Sequence, residues 1–442
     1  MNKSSREVLT FQGGIHPSGD GKALSSGSPI TAAPLLAKYQ VVIAENAGKP
    51  PKPVVKAGDP VKKYQLIAAA DGFVSANLHA PTSGKVTGIV EVPGSMGVPV
   101  PAIEIEADGQ DEAGETFPPI DWRNAAPADL VARIAAAGLV GMGGAAFPTH
   151  VKLSPPPEKK IDTLIFNGAE CEPYLTADHR LMLEAPEQVL EGAAISGRIL
   201  GVSNIYIGIE ENKADAIEVL GRRASEFGVK IAVLKVQYPQ GSEKQLINAI
   251  TGRKVPTGGL PMDAGCVVQN VGTAAATADA VVRGLPLVER VVTVTGEVVK
   301  NPGNWRLRIG TPVIRAIEFA GGVTKEPGKL ILGGPMMGFA QKSFDVPVCK
   351  NTSGILLLPA SEALNYDPVG CIRCGRCVQG CPMHLVPCLL ASAIEGERFD
   401  LAAQNHVMDC LECGSCAYVC PARRPLVQHM RRAKAEIRKR KK

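Results

Sequence analysis

The chain has 442 residues, of which 45% are apolar and 21% charged, and its formal net charge is +5. This length exceeds that of an ordinary single domain, so we expect several domains, and the composition excludes a collagenous or wholly disordered chain. Aromatic residues make up only 4%, and the excess of positive charge is confined to residues 431–442. The rest of the chain is therefore not expected to bind nucleic acid. No apolar run is long enough for a membrane-spanning helix, and the first residues lack an apolar signal-peptide core. We therefore expect a chain that stays in a reducing compartment.

The first two segments are predicted to be an irregular arm and a small β domain. Residues 1–29 are rich in Gly, Ser and Pro and contain the motif GGIHP at Gly13–Pro17. Residues 30–110 contain short Val and Ile runs broken by Gly, Pro and Asp, a pattern typical of strands with tight turns. The stretches VKAGDPV and HAPTSGKV within them resemble the barrel-sandwich hybrid fold of biotinyl and lipoyl domains. Lys85 lacks the sequence setting of a modified carrier lysine, so a scaffold is expected, with a carrier as the alternative.

An acidic linker at 107–121 leads into a predicted α/β domain at residues 120–285. A helix is predicted from Ala126, where Pro127 occupies the first turn. The strands IDTLIF, NIYIGI and VKIAVLKV follow, and a helix from about Lys213 to Phe227 separates the last two. A strand–helix–strand unit of this kind predicts a parallel sheet.

The last three segments differ sharply in composition. Residues 286–360 return to β patterning and predict a β-grasp module of the soluble-ligand-binding (SLBB) type. Residues 361–430 contain eight of the twelve cysteines and predict an α-helical, ferredoxin-like domain. Residues 431–442 carry eight basic residues and one acidic residue. This tail is interpreted as a solvated helix end, and the alternative is attraction to an anionic membrane or an acidic partner.

The cysteines form two runs with the same spacing, C-x2-C-x2-C-x3-C-P, whose members are Cys371, Cys374, Cys377 and Cys381 in the first run and Cys410, Cys413, Cys416 and Cys420 in the second. A zinc site usually uses two separated pairs, whereas three thiolates within seven residues suit a [4Fe–4S] cluster. By the rule for two-cluster ferredoxins, the fourth cysteine of each run binds the other cluster. Cys381 is therefore predicted to complete the second-run cluster and Cys420 the first-run cluster. Cys388 is expected to be a packing residue.

Four loops rich in glycine or polar residues lie in the predicted α/β domain. The first follows a helix, so it lacks the strand–loop–helix context of a dinucleotide-binding fingerprint. The other three follow predicted strands, where open α/β sheets bind ligands. Their sequences are GMGGAAFPTHVK (141–152), NGAECEP (167–173), YPQGSE (238–243) and VQNVGT (268–273).

These loops carry a resemblance to the flavin-binding, NADH-oxidising subunit of respiratory complex I, the 51-kDa family. The resemblance implies that FMN is contacted by Gly141, Gly143, Gly144, Lys152, Asn167, Glu170, Tyr238, Gly241, Asn270 and Thr273. It also implies that Phe147, Glu172 and Glu243 lie near the nicotinamide nucleotide, while Glu243 as a helix-capping residue is the alternative. Departures from the family motifs occur at Ala169, Ser242, Gln269 and Gly272.

Over roughly residues 10–425 the order of arm, barrel-sandwich, flavin motifs, β-grasp module and paired clusters resembles the C subunits of Rnf-type (Rsx) electron-transport complexes. The resemblance implies electron transfer between NAD(H), FMN and two [4Fe–4S] clusters in a translocase that couples ferredoxin and NAD(H) redox change to ion movement. It implies a peripheral position on the cytoplasmic face of a bacterial inner membrane. The implied partners are other subunits of such a complex, including a ferredoxin-like iron–sulfur subunit. Two alternatives are a soluble cobalamin reductase and an adaptor with a vestigial flavin site.

Overall fold

The computed structural model describes residues 8–363 and 367–440. The predicted β domain is present as two small antiparallel sheets, one with the order β2-β8-β7-β4 and one with the order β3-β5-β6. The strands of this part of the chain are β1 (Ile30–Ala32), β2 (Lys38–Val42), β3 (Lys52–Pro53), β4 (Pro60–Val61), β5 (Leu66–Ala69), β6 (Leu78–His79), β7 (Gly84–Pro93) and β8 (Pro99–Ala107). The barrel-sandwich domain was predicted to begin at residue 30. Strand β1 nevertheless belongs to the β-grasp module, because it pairs with a strand of that module.

The α/β domain contains a four-stranded sheet in which every pairing is parallel, which confirms the prediction. Its order is β11-β10-β9-β12, and helices pack on both faces. Its elements are α1 (Pro127–Ala136), α2 (Thr149–Lys152), β9 (Thr163–Asn167), α3 (Ala177–Glu184), α4 (Pro186–Leu200), β10 (Asn204–Glu210), α5 (Ala214–Gly221), β11 (Val229–Leu234), α6 (Glu243–Thr251), β12 (Cys266–Asn270) and α7 (Val271–Val282). Gly192 lets α4 approach α7 closely, because a Cβ there would lie 1.8 Å from the Ala274 carbonyl oxygen.

The β-grasp module is a six-stranded mixed sheet with one helix over it. Its strand order is β1-β14-β13-β17-β15-β16, so the chain just after the arm supplies one edge. Its elements are β13 (Glu289–Thr295), β14 (Gly303–Arg308), α8 (Val313–Phe319), β15 (Lys329–Leu332), β16 (Phe339–Gln341) and β17 (Gly354–Leu358).

The cysteine-rich domain is helical, as predicted, with α9 (Arg376–Gln379), α10 (Pro387–Glu395), α11 (Phe399–Gln404), α12 (Ser415–Tyr418) and α13 (Leu426–Arg440). The basic tail continues the helix to Arg440, as predicted, and residues 438–440 are exposed, but the prediction that the tail is solvated is wrong at Ala433, Lys434 and Ile437. Met430, Ala433 and Ile437 of α13 are buried in the domain core, and the Lys434 ammonium donates to the Cys410 carbonyl oxygen at 2.6 Å. Apolar residues at helical spacing bury one face of α13, and acidic neighbours such as Glu412 pair with its charges.

The arm crosses from the α/β domain to the cysteine-rich domain. Leu9 adds to the edge of β11, and Ile15 exchanges two backbone hydrogen bonds of 2.8 Å with Tyr238. Gly13 has φ 91° and lies so close to Cys381 that a Cβ would be 2.8 Å from its carbonyl oxygen. The arm therefore contacts both domains directly.

None of the helices in the described part of the chain has the length and apolarity needed to span a bilayer.

Candidate functional site

The glycine-rich loop between α1 and α2 packs against the turn between β12 and α7. The Gly141 amide donates to the Phe147 carbonyl at 2.8 Å, which closes the loop on itself. The Met142 amide donates to the Thr273 hydroxyl at 3.0 Å, and a Cβ on Gly143 would lie 3.0 Å from that of Asn270. The loop and this turn therefore lie side by side, as the resemblance implied. Phe147 is half-buried, whereas Gly143 and Gly144 are exposed.

The carboxyl ends of the parallel strands gather a second group of predicted residues. The Asn167 side chain, at the end of β9, donates to the Gly241 carbonyl oxygen at 2.8 Å. The Lys152 ammonium donates to the Val268 carbonyl oxygen at 2.7 Å and forms an ion pair of 2.5 Å with Glu243. Lys152 and Glu243 were predicted to contact different nucleotides, and the structure places them in direct contact.

Two side chains fix the start of α3 and of α7. Glu170, with φ 45°, accepts hydrogen bonds from the Asp178 and His179 amides at 2.7 and 3.1 Å. The Asn270 carboxamide oxygen caps α7 by accepting from the Gly272 amide, and its nitrogen donates to the Asp178 carboxylate at 2.7 Å. Burial, followed by the charge of Glu170, raises the pKa of Asp178 to about 7. Sequence reasoning missed Asp178, although it lies five residues after the NGAECEP motif.

Glu172 and Tyr238 lie where the α/β domain meets the β-grasp module and the second cysteine run. The Glu172 carboxylate accepts from the Met337 and Met336 amides at 2.8 and 3.1 Å, and the Tyr238 hydroxyl oxygen lies 3.4 Å from it. Burial raises the pKa of Glu172 to about 7. The buried Tyr238 hydroxyl donates to the Cys413 carbonyl oxygen at 2.7 Å. The nucleotide contacts predicted for both residues stay predictions, and their polar atoms already have these partners.

Two buried amides in the predicted flavin loops have no partner in the described part of the chain. Both polar atoms of Gln240 and of Gln269 are enclosed and lack a hydrogen bond. Unpaired buried amides are costly, so each has a ligand or water as its expected partner. These loops therefore fit a flat polar cofactor such as FMN.

Cys381 lies with the second cysteine run. Cys381, Cys410, Cys413 and Cys416 line one cavity, whose other walls include apolar side chains such as Leu390 and Met430. Burial raises the pKa of the Cys410 thiol to about 11, and the neighbouring Cys413 and Cys381 thiols add to this shift. Bound iron favours the thiolate form, so a buried group of four cysteines fits an iron–sulfur cluster.

The first run lies at the surface. Cys371 and Cys374 are exposed, whereas Cys377 is buried in an apolar cluster that also contains Cys420 and Cys388. Across residues 8–363 and 367–440, no three His, Cys, Asp or Glu side chains are close enough to hold a single metal ion. A four-iron cubane holds its thiolates farther apart than one ion does.

Four family models match successive parts of the chain. The RnfC barrel sandwich hybrid domain matches residues 9–110, and the Nuo51 FMN-binding domain matches residues 134–279. The SLBB domain matches residues 291–340, and the 4Fe-4S dicluster domain matches residues 363–421. Among solved structures, an NAD+-reducing [NiFe]-hydrogenase in the H2-reduced state shares the fold with a TM-score of 0.52 at 20% identity. That match covers 72% of this chain and 64% of the hydrogenase chain.

A chain that combines an FMN-binding α/β domain with a dicluster domain belongs to the class of flavin–iron–sulfur electron-transfer proteins. Similar proteins identify the family within this class. The chain is 49% identical to the C subunit of the proton-translocating ferredoxin:NAD+ oxidoreductase complex of Clostridium ljungdahlii, over 98% of this chain and 94% of that protein. It is 46% identical to the C subunit of the Na+-translocating complex of Acetobacterium woodii, over 97% of each chain. It is 47% identical to the C subunit of the ion-translocating oxidoreductase complex of Rhodobacter capsulatus, over 98% of this chain and 84% of that protein. The chain belongs to this family of C subunits, as the sequence resemblance indicated.

Proposed function

We propose that this chain carries electrons between NAD(H) and the other subunits of a ferredoxin:NAD+ oxidoreductase complex, through FMN and two [4Fe–4S] clusters. The observation that carries the proposal is the 2.7 Å hydrogen bond from the Tyr238 hydroxyl to the Cys413 carbonyl oxygen. It joins a loop of the FMN-binding domain to a predicted cluster ligand. FMN, when bound, exchanges two electrons with a nicotinamide and one electron at a time with iron–sulfur clusters.

The flavin would be held by the loops at the carboxyl edge of the parallel sheet. The glycine-rich loop, Lys152, Asn167 and the Asn270–Thr273 turn lie together there and hold one another through hydrogen bonds. Glu243 is half-exposed beside Lys152, which suits a contact with a nicotinamide nucleotide that arrives from solvent. Glu172 is tied to Met336 and Met337, so we assign it to holding the β-grasp module against the FMN-binding domain.

The positions of the two cysteine groups support an order for the clusters. The group of Cys381, Cys410, Cys413 and Cys416 adjoins the FMN-binding domain through Tyr238 and the arm. The first run presents Cys371 and Cys374 at the surface. We therefore place the second-run cluster next to the flavin and the first-run cluster at the exit to a partner. That partner is expected to be a ferredoxin-like iron–sulfur subunit, on the cytoplasmic face of the membrane.

The test follows the reduction of the flavin by NADH in the purified chain. Wild type is expected to contain FMN and about eight irons, and NADH is expected to bleach the flavin before the clusters. Glu243→Ala is expected to raise the NADH dissociation constant about tenfold to a hundredfold, since charge-assisted hydrogen bonds contribute about 1.5–3 kcal/mol each. The FMN content of this variant should be unchanged.

Glu218→Ala serves as the matched control, because Glu218 is an exposed glutamate on α5 whose partner is Arg222. Its NADH dissociation constant should equal that of wild type. A wild-type chain with clusters but no flavin would support the adaptor alternative instead. If the chain is purified from native cells without any membrane subunit, the result would support the soluble reductase.

A further inference from the structure

The carbonyl groups of the glycine-rich loop are held by residues outside the FMN-binding domain's own loops. The Gly138 carbonyl accepts from the Lys350 ammonium at 3.0 Å, and the Gly144 carbonyl accepts from the Asn351 side chain at 3.0 Å. The Ala146 carbonyl accepts from the Ala47 amide of the barrel-sandwich domain at 3.2 Å. Arg290, on β13, donates to the Met142 carbonyl at 3.3 Å. Four backbone carbonyls between Gly138 and Ala146 are thus tied to the two flanking modules.

The residues that make these ties form one buried junction. Lys350 is 1% exposed, and its ammonium also donates to the Asn77 carbonyl oxygen of the barrel-sandwich domain at 2.7 Å. It lies 3.6 Å from the equally buried Glu45 carboxylate. The Arg290 guanidinium donates to the Lys350 carbonyl oxygen at 2.7 Å. A buried ion pair with these hydrogen bonds has a fixed geometry, so the loop is attached to a rigid support.

The amide groups on the same stretch of loop are free. Among the described residues, no acceptor pairs with the amides of Gly143, Gly144 or Ala145, and all three residues are exposed. The next residue, Ala146, has φ 51°, a left-handed conformation that turns successive amides toward one side. Gly144 leaves open space, since a Cβ there would meet nothing within 4 Å. A row of free amides beside such space suits an anion, and phosphate is the anion of both nucleotides.

We propose that the barrel-sandwich and β-grasp modules act as positioning elements for a nucleotide phosphate, with Asn351, Lys350 and Arg290 as the positioning residues. By holding the carbonyls of the glycine-rich loop on one side, they direct the Gly143–Ala145 amides toward the phosphate of FMN or the pyrophosphate of NAD(H). This inference rests on the proposed function. It also assigns a role to two modules that contribute no predicted nucleotide contact of their own. A glycine-rich loop without such ties would lose conformational freedom on binding, which lowers affinity.

Asn351→Ala is the most informative variant, because Asn351 is only half-buried and its side chain donates directly to the Gly144 carbonyl. The flavin is removed from the purified, cluster-containing chain, and the dissociation constants of FMN, riboflavin, ADP-ribose and adenosine are measured. Loss of one neutral hydrogen bond is expected to weaken phosphate binding about threefold to tenfold. Asn301→Ala, in an exposed turn of the same module, is the matched control and should match wild type for every probe.

The probe pairs identify the phosphate. Weaker binding of FMN with unchanged riboflavin assigns the loop to the flavin phosphate. Weaker binding of ADP-ribose with unchanged adenosine assigns it to the pyrophosphate of NAD(H). The inference is overturned if all four dissociation constants stay at wild-type values, or if FMN and riboflavin weaken equally while ADP-ribose does not change. A wild-type chain that binds neither FMN nor ADP-ribose would instead refute the proposed function.

Discussion

Asp178 shows how a single carboxyl group reflects the environment of the flavin site. Its side chain is enclosed by Glu170, Asn270 and Arg290, and burial raises its pKa to about 7. The unfolded chain ionises this group near pH 3.8, so folding requires uptake of a proton between these two pH values. The contribution of Asp178 to stability therefore falls as the pH rises from about 4 to about 7, and stays low above that.

Asp178→Asn is expected to remove this penalty. The asparagine keeps an oxygen that accepts from Asn270 but carries no charge. Relative to wild type, the melting temperature of the variant should rise between pH 5 and pH 8, by roughly 2–4 °C for each kcal/mol of relieved penalty. Asp215→Asn is the control, because the exposed Asp215 pairs with His179 and its pKa is lowered. A difference between Asp178→Asn and wild type that does not change with pH would contradict the assignment.

At the scale of elements, the loop that carries Cys381 determines which cluster this cysteine completes. The fourth cysteine of the first run lines the cavity of the second run, as the ferredoxin rule predicts. Cys381→Ala is therefore expected to lower the iron content from about eight to about four per chain while the EPR signal of the first-run cluster persists. Cys388→Ala, a half-buried cysteine near Cys377, should retain all the iron. Selective loss of the first-run signal in Cys381→Ala would reverse the assignment.

Sequence patterns predicted those helices and strands that are specified by residues close together in the chain. The strands of the α/β domain and helix α1 follow from apolar runs and from Pro127 at the first turn. The burial of one face of helix α13 was missed because its charges dominate the composition, although Met430, Ala433 and Ile437 recur at helical spacing. The pairing of β1 with β14 joins residues far apart in the chain, and no local pattern specifies such a pairing.

The residues of the candidate site also fall into those that local motifs predict and those that only the structure reveals. Motifs located the glycine-rich loop, Asn167, Lys152 and the Asn270 turn, because short-range spacing defines those loops. Sequence reasoning did not find the contact of Tyr238 with Cys413, or the ties from Lys350 and Asn351, since each joins residues from different modules. The contacts between modules were visible only in the structure.

At the scale of the whole molecule, the arm connects the FMN-binding and cysteine-rich domains. Gly13 and Gly19 are both arm glycines with positive φ, 91° and 70°, so alanine strains the backbone at either position. Only at Gly13 would the added Cβ also collide with the Cys381 carbonyl oxygen, at 2.8 Å, because nothing lies within 4 Å at Gly19. Gly13→Ala is therefore expected to lower the melting temperature more than Gly19→Ala. It should also slow the transfer of electrons from flavin to clusters. Equal melting temperatures and transfer rates in the two variants would show that the arm does not support this contact.

The arm also determines the order in which the molecule is completed. The Ser18 amide donates to the Tyr418 hydroxyl at 2.8 Å, across 400 positions of the chain. A ribosome releases Ser18 long before it has added Tyr418, and domains generally fold as they emerge, N-terminal first. The arm can pair with Leu234 and Tyr238 as soon as the FMN-binding domain has formed. Its contacts with the cysteine-rich domain must wait until the last helices are made. Because iron–sulfur clusters are also inserted into that domain, closure of the arm is expected to be the final step of maturation. In nascent chains halted before residue 418, the Ser18 amide should therefore exchange its hydrogen freely, while the Ile15 amide stays protected by its bond to Tyr238.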